Sequence, residues 1–260
     1  MQGDVRPSTS ARLDRIRLLS RLYSHQQAVR RDEYLEKHAA PDFVRGTEQV
    51  FEWYRRYTES ASSVLDWGCR HAPDACLIAQ STGGRIDIHG CDTVDAEAYR
   101  VFHDAAGLDY RQLDHEYLLP YDAESFDVII AAGVLEHVPM EYESIKELSR
   151  VIKKEGTLVV TFLPNRWSVH ELSARRAAAY PDRAGQPHHL RTYGRGGVRH
   201  LLQSAGFVVT EIGFQTHFGL LPLEPDPTAT RRMVSRLGRT IGIARLAPCL
   251  ALVARRLAYF

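Results

Sequence analysis

The sequence predicts an α/β fold: a doubly wound, mostly parallel sheet with helices on both faces. Between about residues 63 and 213, short apolar runs alternate with amphipathic stretches, as in a chain of strand–helix units. Two of the runs, FDVIIAAG and TLVVTFLP, are apolar throughout, which is typical of central strands covered on both faces. The stretch between them, EYESIKELSRVIKKEG, has the pattern of an amphipathic helix that closes on Gly156.

The first sixty residues have a different pattern and predict a helical cap. Leucine, isoleucine and tyrosine recur at helical spacing between residues 8 and 38, with arginines between them, and predict one helix there. A second helix is expected over residues 47–59, separated from the first by AAPD at 39–42. We therefore divide the chain into a cap, residues 1–60, and a main domain, residues 61–260.

The main domain is read in order as follows. SVLDWG predicts a strand, residues 73–81 a helix, and the glycine pair at 83–84 a turn. The next expected elements are a strand in RIDIHGCD, a helix over 95–105 and a strand over 108–113. After TLVVTFLP, residues 166–192 are predicted to form an insertion above the sheet. The expected C-terminal elements are a helix in GRGGVRHLLQSAG, a strand in FVVTEIGF, a helix over 228–246 and a last strand in PCLALVARR.

Charge is distributed unevenly along a chain whose net charge is only +1. Residues 1–60 carry 11 basic and 9 acidic side chains, residues 61–165 carry 8 and 18, and residues 166–260 carry 14 and 5. All 14 basic residues of the last part are arginines. An Arg-rich end favours a positive surface that meets an anionic acceptor, and the alternative is a set of solvated arginines.

Cysteine usage and hydropathy predict a cytoplasmic protein without a membrane span. The four cysteines have no close spacing typical of disulfides or zinc sites. The N-terminal segment has no apolar stretch typical of a secretory signal. The apolar C-terminal tail is interrupted by arginines and is shorter than the roughly 20 apolar residues of a membrane span.

Four motifs in this order resemble those of class I S-adenosylmethionine (SAM)-dependent methyltransferases that act on small molecules. They are VLDWGCRHA, LPYDAESFDVI, VLEHV and AGF, and the resemblance covers about residues 63–213. It implies a mostly parallel, seven-stranded, Rossmann-like sheet with SAM at the carboxyl ends of the strands.

The resemblance also implies a set of cofactor-binding residues. Asp66 and the loop after it would serve the methionine end, Asp92 the ribose hydroxyls, and Asp114 with His115 the adenine. A carboxylate suits the ribose because it accepts two hydrogen bonds from a diol. The complete predicted set is Asp66, Gly68, Cys69, Arg70, Asp92, Thr93, Asp114, His115 and Ala131.

The cofactor loop departs from the family pattern at two positions. Arg70 and Ala72 stand where glycines are usual, and only Gly68 remains. We expect the pocket to survive, with the Arg70 side chain either pointing away or pairing with the carboxylate of SAM. The alternative is a non-catalytic binding protein with a degenerate loop. An NAD enzyme fits less well, because it would need G-x-G-x-x-G after the first strand.

Methyl transfer to a hydroxyl requires a group that accepts the proton, and histidine is suited to this near neutral pH. His188 and His189 lie in the predicted insertion and are the preferred candidates. His137, in VLEHV, is the third candidate, with a structural role as its alternative. No metal site is predicted, because no acidic cluster accompanies these histidines in the sequence.

The predicted acceptor is a small molecule, a sugar or a glycan precursor in a biosynthetic pathway. The family's N-P-P-[YF] motif, linked to methylation of planar amino groups, is missing after the fourth strand, and so is a basic–aromatic RNA-binding appendage. No nucleic-acid partner is therefore expected. N- and C-methylation remain alternatives to O-methylation, and the oligomeric state is left open.

Overall fold

Eight strands form one sheet at the centre of the computed structural model, which describes residues 9–168, 189–216, 219–221 and 249–258. The strands are β1 (Ser63–Trp67), β2 (Asp87–Asp92), β3 (Asp109–Gln112), β4 (Phe126–Ala132), β5 (Ile152–Pro164), β6 (Phe207–Thr216), β7 (Gly219–Leu221) and β8 (Cys249–Arg256). Their order across the sheet is β3-β2-β1-β4-β5-β8-β6-β7. The first five strands pair in parallel, and β8, β6 and β7 pair antiparallel. The predicted doubly wound, mostly parallel α/β fold is confirmed; β7 is a short addition to the seven predicted strands.

Seven helices flank the sheet in the described part of the chain. They are α1 (Thr9–Val29), α2 (Glu33–His38), α3 (Pro41–Thr58), α4 (Pro73–Thr82), α5 (Arg100–Ala106), α6 (Glu141–Val151) and α7 (Arg195–Ser204). A 3₁₀ turn, Ala96–Tyr99, leads directly into α5. None of these helices combines the length and the apolar character needed to cross a membrane.

Alternate residues of the central strands supply two cores, one on each face of the sheet. Val64 and Ile130 pack towards the cap and towards α4 and α5. Leu65 and Ile129 pack on the opposite face towards α6 and α7. Since successive side chains of a strand point to opposite faces, a run of consecutive apolar residues is needed to fill both cores.

Three predicted boundaries differ from the structure. The prediction of a single helix over residues 8–38 is wrong, because helix α1 ends at Val29. Asp32 caps a new helix, since its Oδ1 accepts a hydrogen bond from the Tyr34 amide at 2.8 Å. Helix α3 begins at Pro41, six residues before the predicted start, because proline is well suited to the first helical position. Helix α6 ends at Val151, not Gly156, and β5 begins at the next residue. Residues 169–188 of the predicted insertion and the predicted helix over 228–246 lie outside the described residues.

A buried ion pair joins α1 to α3 within the cap. The Arg15 guanidinium lies 2.7 Å from Oε1 of Glu48, whose side chain is fully buried, and also 2.7 Å from Oε2 of Glu52. A buried charge is tolerated only when it is paired in this way. The pair therefore fixes how the two helices meet and, with them, the part of the cap that faces the cavity described next.

Candidate functional site

A cavity of about 730 Å³ opens at the carboxyl ends of β1 and β4. These two strands are adjacent, and the strand order reverses between them, which is where open α/β sheets bind ligands. Cavities that hold small molecules have volumes of roughly 300–1,000 Å³. The cap contributes to the lining with Tyr23, Tyr34, Lys37, His38, Phe43 and Thr47.

The loop after β1 follows the path of a glycine-rich loop although it holds one glycine. Gly68, Arg70 and Ala72 have φ angles of 68°, 45° and 53°, so the left-handed conformation recurs at every second residue. The strain at the two non-glycine residues is on the order of 1–2 kcal/mol each. Hydrogen bonds offset it, because the Arg70 amide donates to Oδ2 of Asp92 at 2.8 Å and the Arg70 carbonyl accepts from Nε2 of His103 at 2.7 Å. Substitution of the two glycines has therefore left the backbone path intact.

The side chain of Arg70 joins the loop to the cap. Its guanidinium carbon lies 3.8 Å from the centre of the Tyr34 ring, and its Nε donates to the Tyr99 hydroxyl at 3.0 Å. The Tyr99 hydroxyl in turn donates to Oδ2 of Asp32 at 2.8 Å. Two tyrosine side chains thus hold the Arg70 side chain, Arg70 also lines the cavity, and its pairing with the carboxylate of SAM stays a prediction.

Gly68 lies where the loop approaches the segment after β4 most closely. A Cβ atom at this position would lie 2.6 Å from Cγ2 of Val134 and 2.8 Å from its Cγ1. The Gly68 amide donates to the Cys91 carbonyl at 2.8 Å, which holds the turn in place. Glycine is therefore required here for its positive φ and for the missing side chain.

Asp92, at the end of β2, organises the backbone around it and faces the cavity. Its Oδ1 accepts from the amides of Thr93 (2.7 Å) and Val94 (3.3 Å), and its Oδ2 accepts from the Arg70 amide. Each carboxylate oxygen can accept about two hydrogen bonds, so Oδ2 retains capacity for a ligand. Asp92 and Thr93 both line the cavity, as do Asp66, Gly68, Cys69 and Arg70 of the predicted set.

Two buried carboxyl groups lie beneath the loop. Burial raises the pKa of Asp66 well above its usual value, and the neighbouring Asp74 raises it further. Burial likewise raises the pKa of Asp74 to about 6, although the Tyr54 hydroxyl donates to it. Oδ2 of Asp66 is buried and has no hydrogen-bond partner among the described residues. A cation or a hydrogen-bond donor from a ligand would satisfy this oxygen.

The two residues predicted to contact the adenine are placed differently with respect to the cavity. Asp114 is exposed and does not line the cavity, whereas His115, Glu116 and Tyr117 do. Nδ1 of His115 accepts from the amides of Tyr117 and Leu118 at 3.2 and 3.1 Å, which turns the chain towards the cavity. His115 therefore lies where a ligand in the cavity could contact it, and the adenine role of both residues stays a prediction.

Ala131 also does not line the cavity. It is fully buried in the core on the α6 and α7 face, since strand alternation turns its side chain that way. The cavity is lined by the next residues, Ala132 and Gly133, where the strand ends.

Two of the three predicted histidines come together at the wall of the cavity. The rings of His137 and His189 are 5.2 Å apart, and both line the cavity with Glu136. His188 lies outside the described residues. Burial raises the pKa of Glu136 to about 8.

Backbone contacts hold residues 189–193 against the loop after β4. The Leu190 amide donates to the Glu136 carbonyl at 2.8 Å, and the Tyr193 hydroxyl donates to the Leu135 carbonyl at 3.0 Å. The Arg191 guanidinium donates to the carbonyls of Val138 and Pro139 at 2.5 and 3.1 Å. The position of His189 beside His137 is therefore set by a network of hydrogen bonds.

Sequence reasoning missed several residues of the site. His71, Tyr34 and His38 form an aromatic wall in which neighbouring ring centres lie within 6 Å, and Nε2 of His71 is 2.8 Å from the Tyr23 hydroxyl. Phe162 lines the cavity from a bulge in β5 and has a φ of 57°, which is unusual for a non-glycine residue. Tertiary packing alone brings these side chains together, and only the Glu136 of VLEHV had a signal in the sequence.

The stability of the fold should fall at acidic pH because of His38, which is half-buried. Burial lowers its pKa from 6.5 to about 4, and the cations Lys37 and Arg70 lower it further, although its Nδ1 donates to the Tyr34 carbonyl. Because the unfolded chain binds the proton more readily, the stabilisation is present above pH 6.5 and is lost as the pH falls towards 4. The free energy of unfolding, measured with urea, should fall between about pH 7 and pH 4.5 in both proteins. The fall should be about 2 kcal/mol smaller in His38→Asn than in the wild type.

The exposed His25 provides the matched control for this experiment. His25→Asn should keep the wild-type pH dependence. The acidic groups Asp66 and Asp74 act with the opposite sign, because their raised pKa values favour the folded state at low pH. They are present in every variant and cancel in the difference. Equal acid losses for His38→Asn and the wild type would remove His38 from this account.

Comparison with known proteins supports the same family. Residues 65–160 match the family model of a methyltransferase domain. The chain is 28% identical over 132 residues to the methyltransferase GfsG of Streptomyces halstedii. That match covers 50% of this chain and 47% of GfsG, so the chain spans about half the length of this curated relative.

Solved structures of low sequence identity share the fold. A SAM-dependent methyltransferase from Archaeoglobus fulgidus superposes with a TM-score of 0.59 at 18% identity, covering 86% of this chain and all of that one (100%). A SAM-dependent methyltransferase from Methanosarcina mazei superposes with a TM-score of 0.56 at 17% identity, covering 79% of this chain and 97% of that one. The cyclase SpnF gives 0.55 at 18% identity, with 84% and 81% covered. SpnF is named as a cyclase, so a similar fold is also found in a protein named for a reaction other than methyl transfer.

Proposed function

We propose that this chain is a class I SAM-dependent methyltransferase that transfers a methyl group from SAM to a hydroxyl of a small molecule, sugar or glycan precursor. The match of residues 65–160 to the model of a methyltransferase domain supports this. The observation that carries the proposal is the loop after β1, which keeps three left-handed positions and hydrogen-bonds to Asp92. A loop that had lost its ligand would have no need to maintain strained conformations at Arg70 and Ala72.

The residues of the cavity fit SAM, the cofactor that the family implies. Gly68 leaves room beside Val134, and the unpartnered buried oxygen of Asp66 suits the ammonium group of an amino-acid tail. Asp92 suits the ribose diol, and the segment around His115 would border the adenine. When bound, SAM supplies a methyl group already activated by its sulfonium. The chain itself must hold the acceptor, exclude water and take up the acceptor's proton.

For proton uptake we propose His137 and His189. Their imidazoles are adjacent, with ring centres 5.2 Å apart, and both line the cavity. Either ring is suited to accept a hydroxyl proton near neutral pH. The cap lines the same cavity with Tyr34, His38 and Phe43, and in the proposal it acts as a lid that keeps water from the reacting atoms.

An anionic acceptor in a cytoplasmic biosynthetic pathway is the finer part of the proposal. It is supported by the arginine-rich last third of the chain and by four buried cysteines that are free thiols. Arg191 gives it no support, because its guanidinium already binds two carbonyls and lies 3.7 Å from Glu141. Arg175 and Arg176, two other arginines of the same part of the chain, lie outside the described residues.

The proposal is tested with SAM carrying a labelled methyl group and a panel of hydroxylated sugars, nucleotide-linked sugars and phenols. We expect a labelled methyl ether and an equal amount of S-adenosylhomocysteine. Label on nitrogen or carbon would assign the N- or C-methyltransferase alternative. Cofactor binding without turnover of any acceptor would favour the non-catalytic binding protein.

The histidine variants test the proton step. Because either ring can accept the proton, His137→Ala and His189→Ala should each lower kcat only about twofold, whereas the double variant should lower it about 100-fold. His200→Ala is the matched control, since His200 is exposed on α7 and does not line the cavity. An unchanged kcat in the double variant would contradict the assigned role.

A further inference from the structure

Three side chains at the cavity wall have the composition of a cation site. One potential ligand atom of each of Glu136, His137 and His189 lies within 4.8 Å of the others. The chain spacing gave no reason to expect this, because it places no acidic cluster beside the histidines. The fold supplies a carboxylate from within VLEHV itself, that of Glu136, and brings His189 to it across 53 positions of sequence.

The Glu136 carboxyl group lacks the partners that a buried acid normally has. The residue is 2% exposed, and its Oε2 has no hydrogen-bond partner among the described residues. Leaving such a group unsatisfied costs on the order of 1–3 kcal/mol, so a native structure usually provides a donor or an ion. Glu136 lines the cavity, and its other oxygen, Oε1, lies 3.9 Å from Nε2 of His137.

We propose that Glu136, His137 and His189 bind a divalent first-row transition-metal cation, with at least one coordination position open to the cavity. Two imidazoles and one carboxylate are a ligand set that Zn²⁺ and Fe²⁺ accept while leaving a position for water or substrate. One carboxylate and two neutral rings also leave the site with net positive charge, which favours an oxygen ligand with a displaceable proton.

The distances allow the site to form with small side-chain movements. Ligand atoms around a tetrahedral cation at about 2.0–2.2 Å lie about 3.3–3.5 Å from one another. Nε2 of His137 is already 3.9 Å from Oε1 of Glu136. His189 is exposed, and its ring can approach by rotation about its side-chain torsions. The backbone beneath it is fixed by the Leu190–Glu136 hydrogen bond, so the approach does not require movement of the main chain.

The cation has a role that rests on the proposed function. A hydroxyl bound at the open position loses its proton more readily, since a divalent cation lowers the pKa of a bound oxygen. The histidines would then act as ligands, and the cation would replace them in activating the acceptor. Cation binding itself is independent of any acceptor and can be measured without turnover.

The test uses the full-length, tag-free protein, freed of metal by a chelator, and Co²⁺ and Zn²⁺ as probes. Titration of Co²⁺ should produce visible absorption bands that saturate at one equivalent and disappear when Zn²⁺ displaces it. Glu136→Gln and His189→Ala should each lower the affinity for Co²⁺ about tenfold or more, since even the loss of a residue that only supports a metal ligand has an effect of about this size. His200→Ala should bind as the wild type does. Circular dichroism and thermal unfolding verify that each variant folds.

Saturable binding at one equivalent that both ligand variants weaken supports the proposal. No saturable Co²⁺ spectrum in the wild type, or equal affinity in the wild type and both variants, overturns it. Methyl transfer by the metal-free protein at the full rate would also overturn the role of the cation and would leave the histidines as proton acceptors. The proposed function therefore survives each of these failures.

Discussion

Gly68→Ala should lower the free energy of unfolding by about 2–4 kcal/mol and close the cofactor end of the cavity. The expected loss combines the cost of a left-handed alanine with the overlap of its Cβ with Val134, whose nearest atom would be 2.6 Å away. Val134 can relieve little of this overlap, because a β-branched side chain has few rotamers. Urea unfolding measures the free energy of unfolding, and calorimetric titration with S-adenosylhomocysteine measures whether the cavity still binds the ligand.

Gly83→Ala separates the two contributions. Gly83 has a similar φ of 63°, but a Cβ there would meet no atom within 4 Å. This variant should therefore lose only about 1 kcal/mol and bind the ligand normally. If Gly68→Ala and Gly83→Ala were equally stable and bound ligand equally well, the close approach of the loop to Val134 would have no functional meaning.

Asp92→Ala should weaken the binding of S-adenosylhomocysteine about 100-fold, or roughly 3 kcal/mol. A carboxylate that accepts from both ribose hydroxyls contributes about 1.5–3 kcal/mol for each hydrogen bond. The substitution also removes the acceptor for the Arg70 amide and frees the strained loop. Calorimetric titration gives the affinity, and thermal unfolding verifies that the variant is folded.

Two further variants make this result specific. Asp92→Asn keeps one oxygen and should bind with intermediate affinity. Asp114→Ala should bind like the wild type, because Asp114 is exposed and does not line the cavity. Wild-type affinity in Asp92→Ala would remove Asp92 from the site, and a loss in Asp114→Ala would restore the original adenine assignment.

The sequence predicts the sheet well because apolar runs report burial directly. FDVIIAAG became β4 and TLVVTFLP became the second part of β5, since both faces of a central strand must be apolar. Helix ends were less predictable. The break before Asp32 and the early start of α3 at Pro41 depend on single capping residues inside long helical patterns.

The sequence indicates the cavity-lining residues that end a strand or directly follow one. Asp92 and Gly68 lie at strand ends, where the fold itself determines their place. His115 lines the cavity and Asp114 does not because of a local turn whose register no periodicity reveals. The approach of Glu136 to His189 depends on contacts distant in sequence, and the Tyr34 ring under Arg70 comes from the cap. Such contacts leave no pattern in the order of residues.

The central claim is that the loop after β1 still accommodates the methyl donor although Arg70 and Ala72 replace glycines. A crystal structure with S-adenosylhomocysteine tests it most directly. The account predicts that the ribose hydroxyls lie on Asp92, that the amino-acid tail lies beside Gly68, and that the Arg70 guanidinium stays over the Tyr34 ring. A structure in which Arg70 fills the space beside Gly68 and no ligand binds would contradict the account.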